Sequence, residues 1–365
     1  MRKIAVFLII FILVSTSVFT IQEQAYPQIK SKNNKAIDMI ISQTTKPFEK
    51  DIPTDYFFNP EDIELKDDAF HGSNSINTAE WWYFDAIFAN GYSAVIVIYV
   101  FDILNQNFVV TGVNICKDGI STLSSWQYYI FNKLDISTEN PYVAIDGKQF
   151  MKGYIDKVSG DWIYDITIEN KDVSVDLQYI GKSKGWKGDL SIGGWAAILP
   201  KAEVSGKINL RGTKYDVIGI GYHDHNWGMN IFDLLHFGWY WGRIHLENMT
   251  VVWFVILNTR FDSENICIIS KDDGGYININ PKDIQFSAEE YGLDTIWFYP
   301  KTFILMFNIE EMYLAIAMNT ISVDSDYKIN GHYWRYYLNC YGNTIIDNET
   351  KDISGIQIAE FMRFR

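Results

Sequence analysis

Alternating apolar and polar positions with short breaks dominate the chain from about residue 79 onward. The positions from Glu80 to Phe88 alternate loosely, Asn90-Gly91 follows, and Tyr92 to Phe101 is almost continuously apolar. An Asn-Gly pair between two such runs is a strong signal of a β-hairpin. An apolar run of this length is typical of a buried strand. We therefore predict that the folded part opens with a hairpin whose first strand starts near Ala79.

The same pattern continues, with turn signals at intervals of about ten residues. Turn residues occur at Asp146-Gly147, Ser159-Gly160-Asp161, Glu169-Asn170-Lys171 and from Gly181 to Gly185. Between them, the sequence predicts strands from Asp161 to Glu169, Val173 to Ile180, Val204 to Leu210 and Tyr215 to Gly221. No long amphipathic helix is apparent, and the 16% aromatic content also favours strands. We predict an all-β fold of the sandwich or barrel type.

An internal repeat divides this β-rich region into two halves. Residues 80–90 match residues 238–248 at a constant offset of 158, and the apolar run 94–98 then falls on 252–256. The aligned pairs are Trp81 with Trp239, Trp82 with Tyr240, Tyr83 with Trp241, Asp85 with Arg243 and Asn90 with Asn248. A weaker match of 219–224 with 355–360 aligns Glu360 with Asp224. Because repeats of this length indicate repeated structural units, we predict tandem β-domains at 61–230 and 231–365.

The N-terminus has the layout of a secretory signal. Three residues with two basic side chains precede an apolar run from Ile4 to Val14, and Ser15-Thr16-Ser17 follows. The run is shorter than the about 20 residues of a membrane-spanning helix, although cleavage and anchoring both stay open. We predict a signal peptide or N-terminal anchor at 1–25 and a polar linker at 26–60. The protein would then be exported, or anchored at a membrane by this segment and facing outside.

Charge and motifs exclude several classes of function. A net charge of −14 argues against nucleic acid as a partner. The three cysteines lie far apart and form neither a disulfide framework nor a metal-ligand spacing. Gly181-Lys182-Ser183-Lys184-Gly185 has the Gly-x-Ser-x-Gly spacing but lies in a turn that no predicted helix follows, so it is not a nucleophile elbow. The sequence has no glycine-rich phosphate loop opening a helix. Serine-hydrolase and nucleotide-dependent chemistry are therefore not indicated.

Residue types that commonly act in catalysis or metal binding are concentrated in the segment Gly219-Ile220-Gly221-Tyr222-His223-Asp224-His225-Asn226-Trp227-Gly228. Four of the six histidines lie in or shortly after it, namely His223, His225, His236 and His245. On a strand, His223 and His225 share one face and Asp224 points to the other. A metal would need a third ligand from His236, His245 or Glu80, and this spacing is a weak signal, so we predict neither metal nor cofactor. Alternatively, the cluster is structural and hydrogen-bonds the junction of the two domains.

Acid catalysis on an apolar substrate is the other interpretation. Protonation of an alkene needs a carboxylic acid that burial keeps neutral, and aromatic faces that stabilise the cation. Asp224 would be the proton donor, a neighbouring histidine would orient it, Glu80 is the alternative acid, and Glu80 and Arg243 could pair at the pocket rim. The predicted catalytic residues are Asp224, His223, His225 and Glu80. The predicted ligand-binding residues are Trp82, Tyr222, Trp227, Trp239, Trp241 and Arg243.

Three segments together resemble a known family. They are Glu80-Trp81-Trp82-Tyr83-Phe84-Asp85, Pro200-Lys201-Ala202-Glu203-Val204-Ser205-Gly206, and Gly221 to Gly228. From about residue 61 to its end, the chain resembles the hydroxyneurosporene synthase (carotenoid 1,2-hydratase) family, which is related to tandem lipocalin-like proteins and fungal decalin-forming Diels–Alderases. The resemblance implies two lipocalin-like barrels in tandem with an apolar ligand pocket, and hydration of a polyene or cycloaddition as the chemistry.

These observations leave three functions open. The first is an enzyme that binds an isoprenoid-like or polyene-like small molecule and hydrates, isomerises or cyclises it by acid catalysis. The second is a non-catalytic lipid carrier of the cell envelope. The third is an envelope structural protein whose barrels are filled by side chains, since aromatic residues commonly fill barrel interiors.

Overall fold

The computed structural model of the chain describes residues 58–72, 77–103, 106–129, 133–230, 237–258, 262–294, 297–310, 312–328, 331–346 and 348–364. The predicted signal peptide or anchor at 1–25 and nearly all of the predicted linker at 26–60 lie outside these residues. Within the described ranges, no helix is long and apolar enough to cross a membrane. The regular structure is almost entirely β, with short 3-10 helices at Leu65–Asp68 and Pro281–Asp283.

The first half of the chain forms a 13-stranded antiparallel sheet. Its strands are β1 (Glu61–Asp62), β2 (Thr78–Phe88), β3 (Tyr92–Ile103), β4 (Gln106–Lys117), β5 (Ile120–Tyr129), β6 (Leu134–Ile136), β7 (Tyr142–Ile145), β8 (Lys148–Ile155), β9 (Trp162–Glu169), β10 (Val173–Gly181), β11 (Trp186–Leu190), β12 (Gly193–Leu210) and β13 (Thr213–Asn230). They are arranged in the order β5-β4-β3-β2-β13-β12-β10-β9-β8-β7-β6, with β11 also pairing β12 and β1 pairing β11. The long strands β2 and β13 therefore lie side by side in its middle.

The second half forms a nine-stranded sheet and a separate two-stranded pair. Its strands are β14 (Gly238–His245), β15 (Met249–Leu257), β16 (Ser263–Lys271), β17 (Gly275–Asn278), β18 (Ile284–Glu289), β19 (Gly292–Asp294), β20 (Trp297–Tyr299), β21 (Thr302–Asn308), β22 (Met312–Lys328), β23 (Gly331–Ile346) and β24 (Glu349–Arg363). The nine-stranded order is β17-β16-β15-β14-β24-β23-β22-β21-β18, and β19 pairs β20.

Both large sheets curl into half-barrels, which confirms the predicted all-β fold and is consistent with two tandem β-barrel domains. The first sheet ends at Asn230 and the second begins at Gly238. The predicted domain limit at 230/231 falls at this transition and stays a prediction. Two predicted strands, Val204 to Leu210 and Tyr215 to Gly221, are parts of longer strands in the structure, Gly193–Leu210 and Thr213–Asn230.

The described residues form three large buried clusters and a small one at Ala79, Phe108 and Val110, and strand alternation separates the large ones. Along β2, Trp82, Phe84 and Ala86 point into the core of the first sheet, whereas Trp81 and Tyr83 contribute to a third cluster between the two sheets. The second sheet has its own core. The apolar side chains of the third cluster come from β3, β15 and several other strands of both sheets. A strand such as β2 is therefore buried on both faces, which accounts for its nearly continuous aromatic sequence.

The strand pairing supports the internal repeat but corrects its register. On β13, Asp224 pairs with Tyr83 of β2, and on β24, Glu360 pairs with Trp241 of β14. The weak match between Asp224 and Glu360 is therefore confirmed. The constant offset of 158 is wrong beyond the first strand of the repeat. Asp85 pairs with Val95 on β3, and its match Arg243 pairs with Val252 on β15. Val95 and Val252 are therefore the equivalent positions, and they differ by 157 residues. The second hairpin connection is one residue shorter, and a slip of one residue exchanges the two faces of a strand.

Matched positions of the repeat meet across the junction of the sheets. The guanidinium of Arg243 donates from Nε to both carboxylate oxygens of Asp85, at 3.1 and 3.2 Å. The rings of Tyr83 and Trp241, also matched by the repeat, lie 5.3 Å apart. Contact between equivalent residues is the signature of an isologous, two-fold-like interface. The two halves therefore pack against each other through the same strand of each sheet.

Candidate active site

The His-Asp-His sequence lies in the middle of β13 and is divided between two faces of the first sheet. His223 and His225 are fully buried on the face of the first core, where they contact the rings of Phe84 and Trp82. Asp224 points the other way, into the cluster between the sheets, and is 5% exposed. This alternation is the one predicted from the sequence. It places the acid and the histidines in separate environments, so they do not form one constellation.

On the histidine face, Asp68 is the central residue, and it is not among the residues that sequence analysis selected. Its carboxylate lies 3.1 Å from Nε2 of His223 and 3.2 Å from Nδ1 of His225. The second nitrogen of His223 is 2.9 Å from the carbonyl oxygen of Tyr83. All of these side chains are fully buried. Asp68 therefore links the two histidines, which lie two residues apart on the same face of β13.

The short helix Leu65–Asp68 holds Asp68 in place. It starts with a capping box, in which the Glu64 side chain accepts the N–H of Asp67 and the Asp67 carboxylate accepts the N–H of Glu64. Asp67 also forms an ion pair of 2.7 Å with Lys187 of β11. At the end of the helix, the Trp82 indole donates a hydrogen bond of 2.9 Å to the carbonyl of Asp68. The helix is thereby tied to β2 and β11.

Glu80 completes the histidine face. Its carboxylate lies 2.9 Å from Nε2 of His225. It also accepts backbone N–H groups of His71 at 2.8 Å and Gly72 at 3.1 Å. The His71 ring stacks on Trp227, with centroids 4.0 Å apart and planes at 5°. His225 therefore lies between two carboxylates, those of Asp68 and Glu80.

This arrangement moves the pKa values of the ionisable groups apart. Burial alone would raise the pKa of Asp68, but attraction and hydrogen bonds from His223 and His225 lower it to about 2. Burial alone would lower the pKa of His225, but its hydrogen bonds to Asp68 and Glu80 raise it to about 9. The pKa of Glu80 is lowered, because hydrogen bonds from His225 and His71 outweigh burial. At neutral pH, a His225 cation held by two carboxylates results.

The protein is expected to lose stability as the pH rises from about 6.5 to about 9. The folded state keeps the His225 proton up to its pKa of about 9, whereas the unfolded chain releases it near 6.5. The contribution of this proton to the free energy of unfolding is therefore complete below pH 6.5 and is lost above pH 9. Between these pH values, the free energy of unfolding falls by at most about 1.4 kcal/mol per pH unit for one group. Urea denaturation at pH 6.5 and at pH 9 measures this loss. Glu80→Gln should flatten the slope, and equal stability at both ends would contradict this assignment.

On the opposite face, Asp224 is held by neutral groups. Its Oδ2 accepts hydrogen bonds from the Trp195 indole at 3.2 Å and from the Tyr222 hydroxyl at 3.0 Å. Its Oδ1 accepts one from the Asn226 amide at 3.1 Å. Burial is the main cause that raises the pKa of Asp224 to about 8; the donors Trp195 and Tyr222 lower it, and the charges of Glu360 and Asp85 raise it further. Asp224 is therefore largely a neutral acid at neutral pH.

Aromatic and charged groups from both sheets surround this acid. The rings of Tyr222 and Trp241 lie 5.2 Å apart, and Tyr83 contacts both. From the second sheet, Glu360 forms an ion pair of 3.4 Å with Arg335. Burial raises the pKa of Glu360, although Arg335 opposes the change. The face thus combines a neutral carboxylic acid, three aromatic rings and a second carboxyl group at the junction of the sheets.

The predicted site residues are distributed over the two faces. Trp82 and Trp227 lie with the histidines, whereas Tyr222 and Trp241 lie with Asp224. Trp239 packs near the same junction, against Phe254 and Phe364. The suggested ion pair of Glu80 with Arg243 is wrong: Glu80 contacts His225 and His71, and Arg243 contacts Asp85 and Gln357. The structure adds residues that sequence analysis did not select, namely Asp68, His71, Trp195 and Arg335.

One group of potential metal ligands occurs within the described part of the chain. It consists of His71, Glu80 and His225, whose ligand atoms all lie within 4.8 Å of one another. Of the third ligands considered from the sequence, Glu80 belongs to the group. His245 instead bonds to Thr250 at 2.8 Å, and His236 lies outside the described residues. The three cysteines are buried and free.

Comparisons with known proteins identify the fold. No family model and no curated protein matches the sequence. The solved structure described as an AttH protein from Nitrosomonas europaea superposes with a TM-score of 0.60 at 16% identity, covering 84% of this chain and 98% of that one. Kievitone hydratase from Nectria haematococca superposes with a TM-score of 0.54 at 12% identity, covering 86% of this chain and 94% of that one. CghA superposes with a TM-score of 0.50 at 10% identity, covering 79% of this chain and 88% of that one.

At these identities the comparisons show a shared fold. They span most of both chains, so the whole tandem arrangement is shared and not one sheet alone. The chain therefore has the tandem β-fold of these proteins, which is consistent with the resemblance of its motifs to the hydroxyneurosporene synthase family.

Proposed function

We propose that the protein is an acid catalyst that binds an apolar, unsaturated small molecule at the junction of its two sheets and protonates it from Asp224. Hydration, isomerisation and cyclisation all begin with this step. The observation that carries the proposal is the Asp224 carboxyl group itself, which is buried between the sheets and which, among the described residues, is hydrogen-bonded by the neutral side chains of Trp195, Tyr222 and Asn226. Kievitone hydratase, a hydratase by name, has the same fold, and this supports the proposal by analogy.

Proton donation needs an acid that carries its proton at the working pH. Asp224 meets this condition because burial raises its pKa to about 8. Glu80, the alternative acid considered from the sequence, does not, because hydrogen bonds from His225 and His71 lower its pKa. Asp224 is therefore the better donor. After transfer, the Trp195 and Tyr222 donors would stabilise the carboxylate that remains.

The transferred proton forms a C–H bond with one alkene carbon, and the π electrons of the double bond supply that bond. The positive charge then resides on the other carbon, where the faces of Tyr222, Trp241 and Tyr83 can stabilise it. Water adding to this carbon would give an alcohol and return a proton to Asp224. Loss of a neighbouring proton to Asp224 would give an isomer. Attack by a second double bond would close a ring and move the charge to a new carbon, which would then lose a proton to Asp224.

Two buried polar groups in the same cluster favour a ligand that also carries oxygen. Within the described residues, neither Tyr83 Oη nor Trp241 Nε1 makes a hydrogen bond of normal geometry, although Tyr83 lies within reach of Asp85 and Trp241 within reach of Tyr222. Both belong to rings that contact Tyr222, the hydrogen-bond partner of Asp224. Buried donors normally make hydrogen bonds of good geometry, so a ligand hydroxyl or carbonyl at this position would provide the acceptor that these two groups need. An oxygen-bearing isoprenoid or polyene fits both the aromatic rings and these donors.

The histidine face has a supporting role in this proposal. His223 and His225 fix the middle of β13 through Asp68 and Glu80, and thereby the position of Asp224 between them in sequence. They do not touch the acid or the proposed ligand, since they point into the first core.

Ligand capture followed by turnover in heavy water tests the proposal. The full chain would be purified, examined by native mass spectrometry and extracted with solvent, and then incubated in D₂O with the extracted compound or an acyclic isoprenoid alkene. Enzymatic protonation places deuterium on carbon in a hydrated, isomerised or cyclised product. A ligand that binds but returns unchanged would indicate a carrier instead. A chain that neither contains nor takes up such a compound would contradict both functions.

A further inference from the structure

We propose that His71, Glu80 and His225 form a binding site for a divalent transition-metal ion of the Zn²⁺ type on the histidine face of the first sheet. This site is separate from the proposed acid site, and the inference does not depend on the proposed function. Two imidazoles and one carboxylate are a ligand set that zinc and related ions use, usually with water as a further ligand.

The distances between the ligand atoms fit such an ion. Glu80 Oε1 lies 2.9 Å from His225 Nε2 and 3.5 Å from His71 Nδ1, and the whole set spans no more than 4.8 Å. Ligands bound at about 2.0–2.2 Å in a tetrahedron lie roughly 3.3–3.6 Å apart. To admit an ion, the first pair would have to separate by a few tenths of an ångström, and the widest pair, at up to 4.8 Å, would have to close by about 1 Å. The ion would take the place of the proton between His225 and Glu80, and that proton would be released.

The surrounding groups are those that orient metal ligands in known sites. Histidines bound to a metal usually place their other ring nitrogen against a carboxylate or carbonyl. Asp68 Oδ1 is such a group for His225, at 3.2 Å from Nδ1. The Glu80 carboxylate is likewise fixed by the backbone N–H groups of His71 and Gly72, at 2.8 and 3.1 Å. These contacts leave His225 Nε2 and the Glu80 oxygens facing each other.

Aromatic rings hold both imidazoles in position. His71 stacks on Trp227 with planes at 5°, and His225 stacks on Trp82 with centroids 4.6 Å apart and planes at 20°. The side chain of His71 is 27% exposed, whereas that of His225 is fully buried. An ion could therefore enter from the His71 side, and water could occupy its remaining position. His223 is not a ligand, because its ring nitrogens bond to Asp68 and to the Tyr83 carbonyl.

Metal titration of the full chain tests the site. The chain would be freed of metal with a chelator, titrated with Zn²⁺ against a coloured competitor, and examined with Co²⁺, whose visible absorption reports a tetrahedral site. We expect one ion per chain with tetrahedral Co²⁺ bands. Asp68→Asn should weaken binding by about 10–100-fold, as loss of an outer hydrogen-bond partner does. His71→Ala and Glu80→Gln each remove a ligand and should weaken binding more.

The controls separate metal binding from folding. His71 is partly exposed, so His71→Ala should keep the far-ultraviolet circular dichroism and the cooperative unfolding of the wild type even where Glu80→Gln does not. Glu139→Gln is the matched control, since Glu139 is exposed and contacts Lys66 outside the group; its affinity should equal that of the wild type. Absence of binding to the wild-type chain would overturn the proposal. Equal binding to wild type and His71→Ala would overturn it as well, because the ion would then lie elsewhere.

Discussion

Replacing Asp224 with asparagine should lower turnover by about 10²–10⁴-fold and leave ligand affinity nearly unchanged, since general acid catalysis typically contributes that much. The amide has the shape of the carboxyl group but cannot donate a proton to carbon. Its oxygen can still accept from Trp195 and Tyr222 as Oδ2 of Asp224 does. The neighbouring Asn226 can present its own oxygen to the new amide after a rotation of its side chain.

The matched control is Asp216→Asn on the same strand. The Asp216 side chain is 89% exposed and forms an ion pair of 3.7 Å with the exposed Lys207. Turnover of this variant should equal that of the wild type. The wild-type rate should also fall as the pH rises through about 8, where Asp224 loses its proton. Equal losses of affinity and turnover in Asp224→Asn, or loss of folding, would count against an acid role.

Replacing Arg243 with methionine should lower the free energy of unfolding by about 3–5 kcal/mol. The substitution leaves the fully buried Asp85 carboxylate without the guanidinium that donates to both of its oxygens. An unpaired buried charge is among the largest single causes of destabilisation. Gln357 also loses the donor at 2.9 Å that Arg243 provides. The loss is measured by urea denaturation.

A double substitution separates the charge from the packing. Asp85→Leu with Arg243→Met removes both charges and should recover most of the lost stability, because apolar replacement of a whole buried pair is often close to neutral. Lys207→Met, which breaks the exposed pair with Asp216, should change stability by no more than about 0.5 kcal/mol. If the double variant were as unstable as the sum of its single changes, the ion pair would not be the cause.

Strand periodicity is the part of the site that the sequence could predict. An alternating pattern assigns faces, so His223 and His225 on one side and Asp224 on the other followed directly from their spacing. The match of Asp224 with Glu360 in the repeat was also correct, since Asp224 pairs with Tyr83 as Glu360 pairs with the matched Trp241. The same rule argues against the suggested Glu80–Arg243 pair. Arg243 aligns with Asp85, which lies an odd number of residues from Glu80 and so on the other face of β2.

Contacts made by short irregular segments could not be predicted in this way. Asp68 reaches His223 across 155 positions of the chain from a single helical turn. His71 follows it in a segment without periodicity, and its contacts depend on the path between the helix and β2. Such segments carry no repeating pattern from which a face or a partner can be assigned. Their side chains are nevertheless the ones that fix the charges of His225 and Glu80.

The opposite charges at the matched positions 85 and 243 also bear on how the two halves of the chain assemble. In a homodimer of one half, a residue close to the two-fold axis would face its own copy, so an aspartate would meet an aspartate and an arginine an arginine. Either like-charged pair, buried at this depth, would strongly oppose association. Asp85 and Arg243 therefore favour the pairing of the two unlike halves over the pairing of two copies of either half.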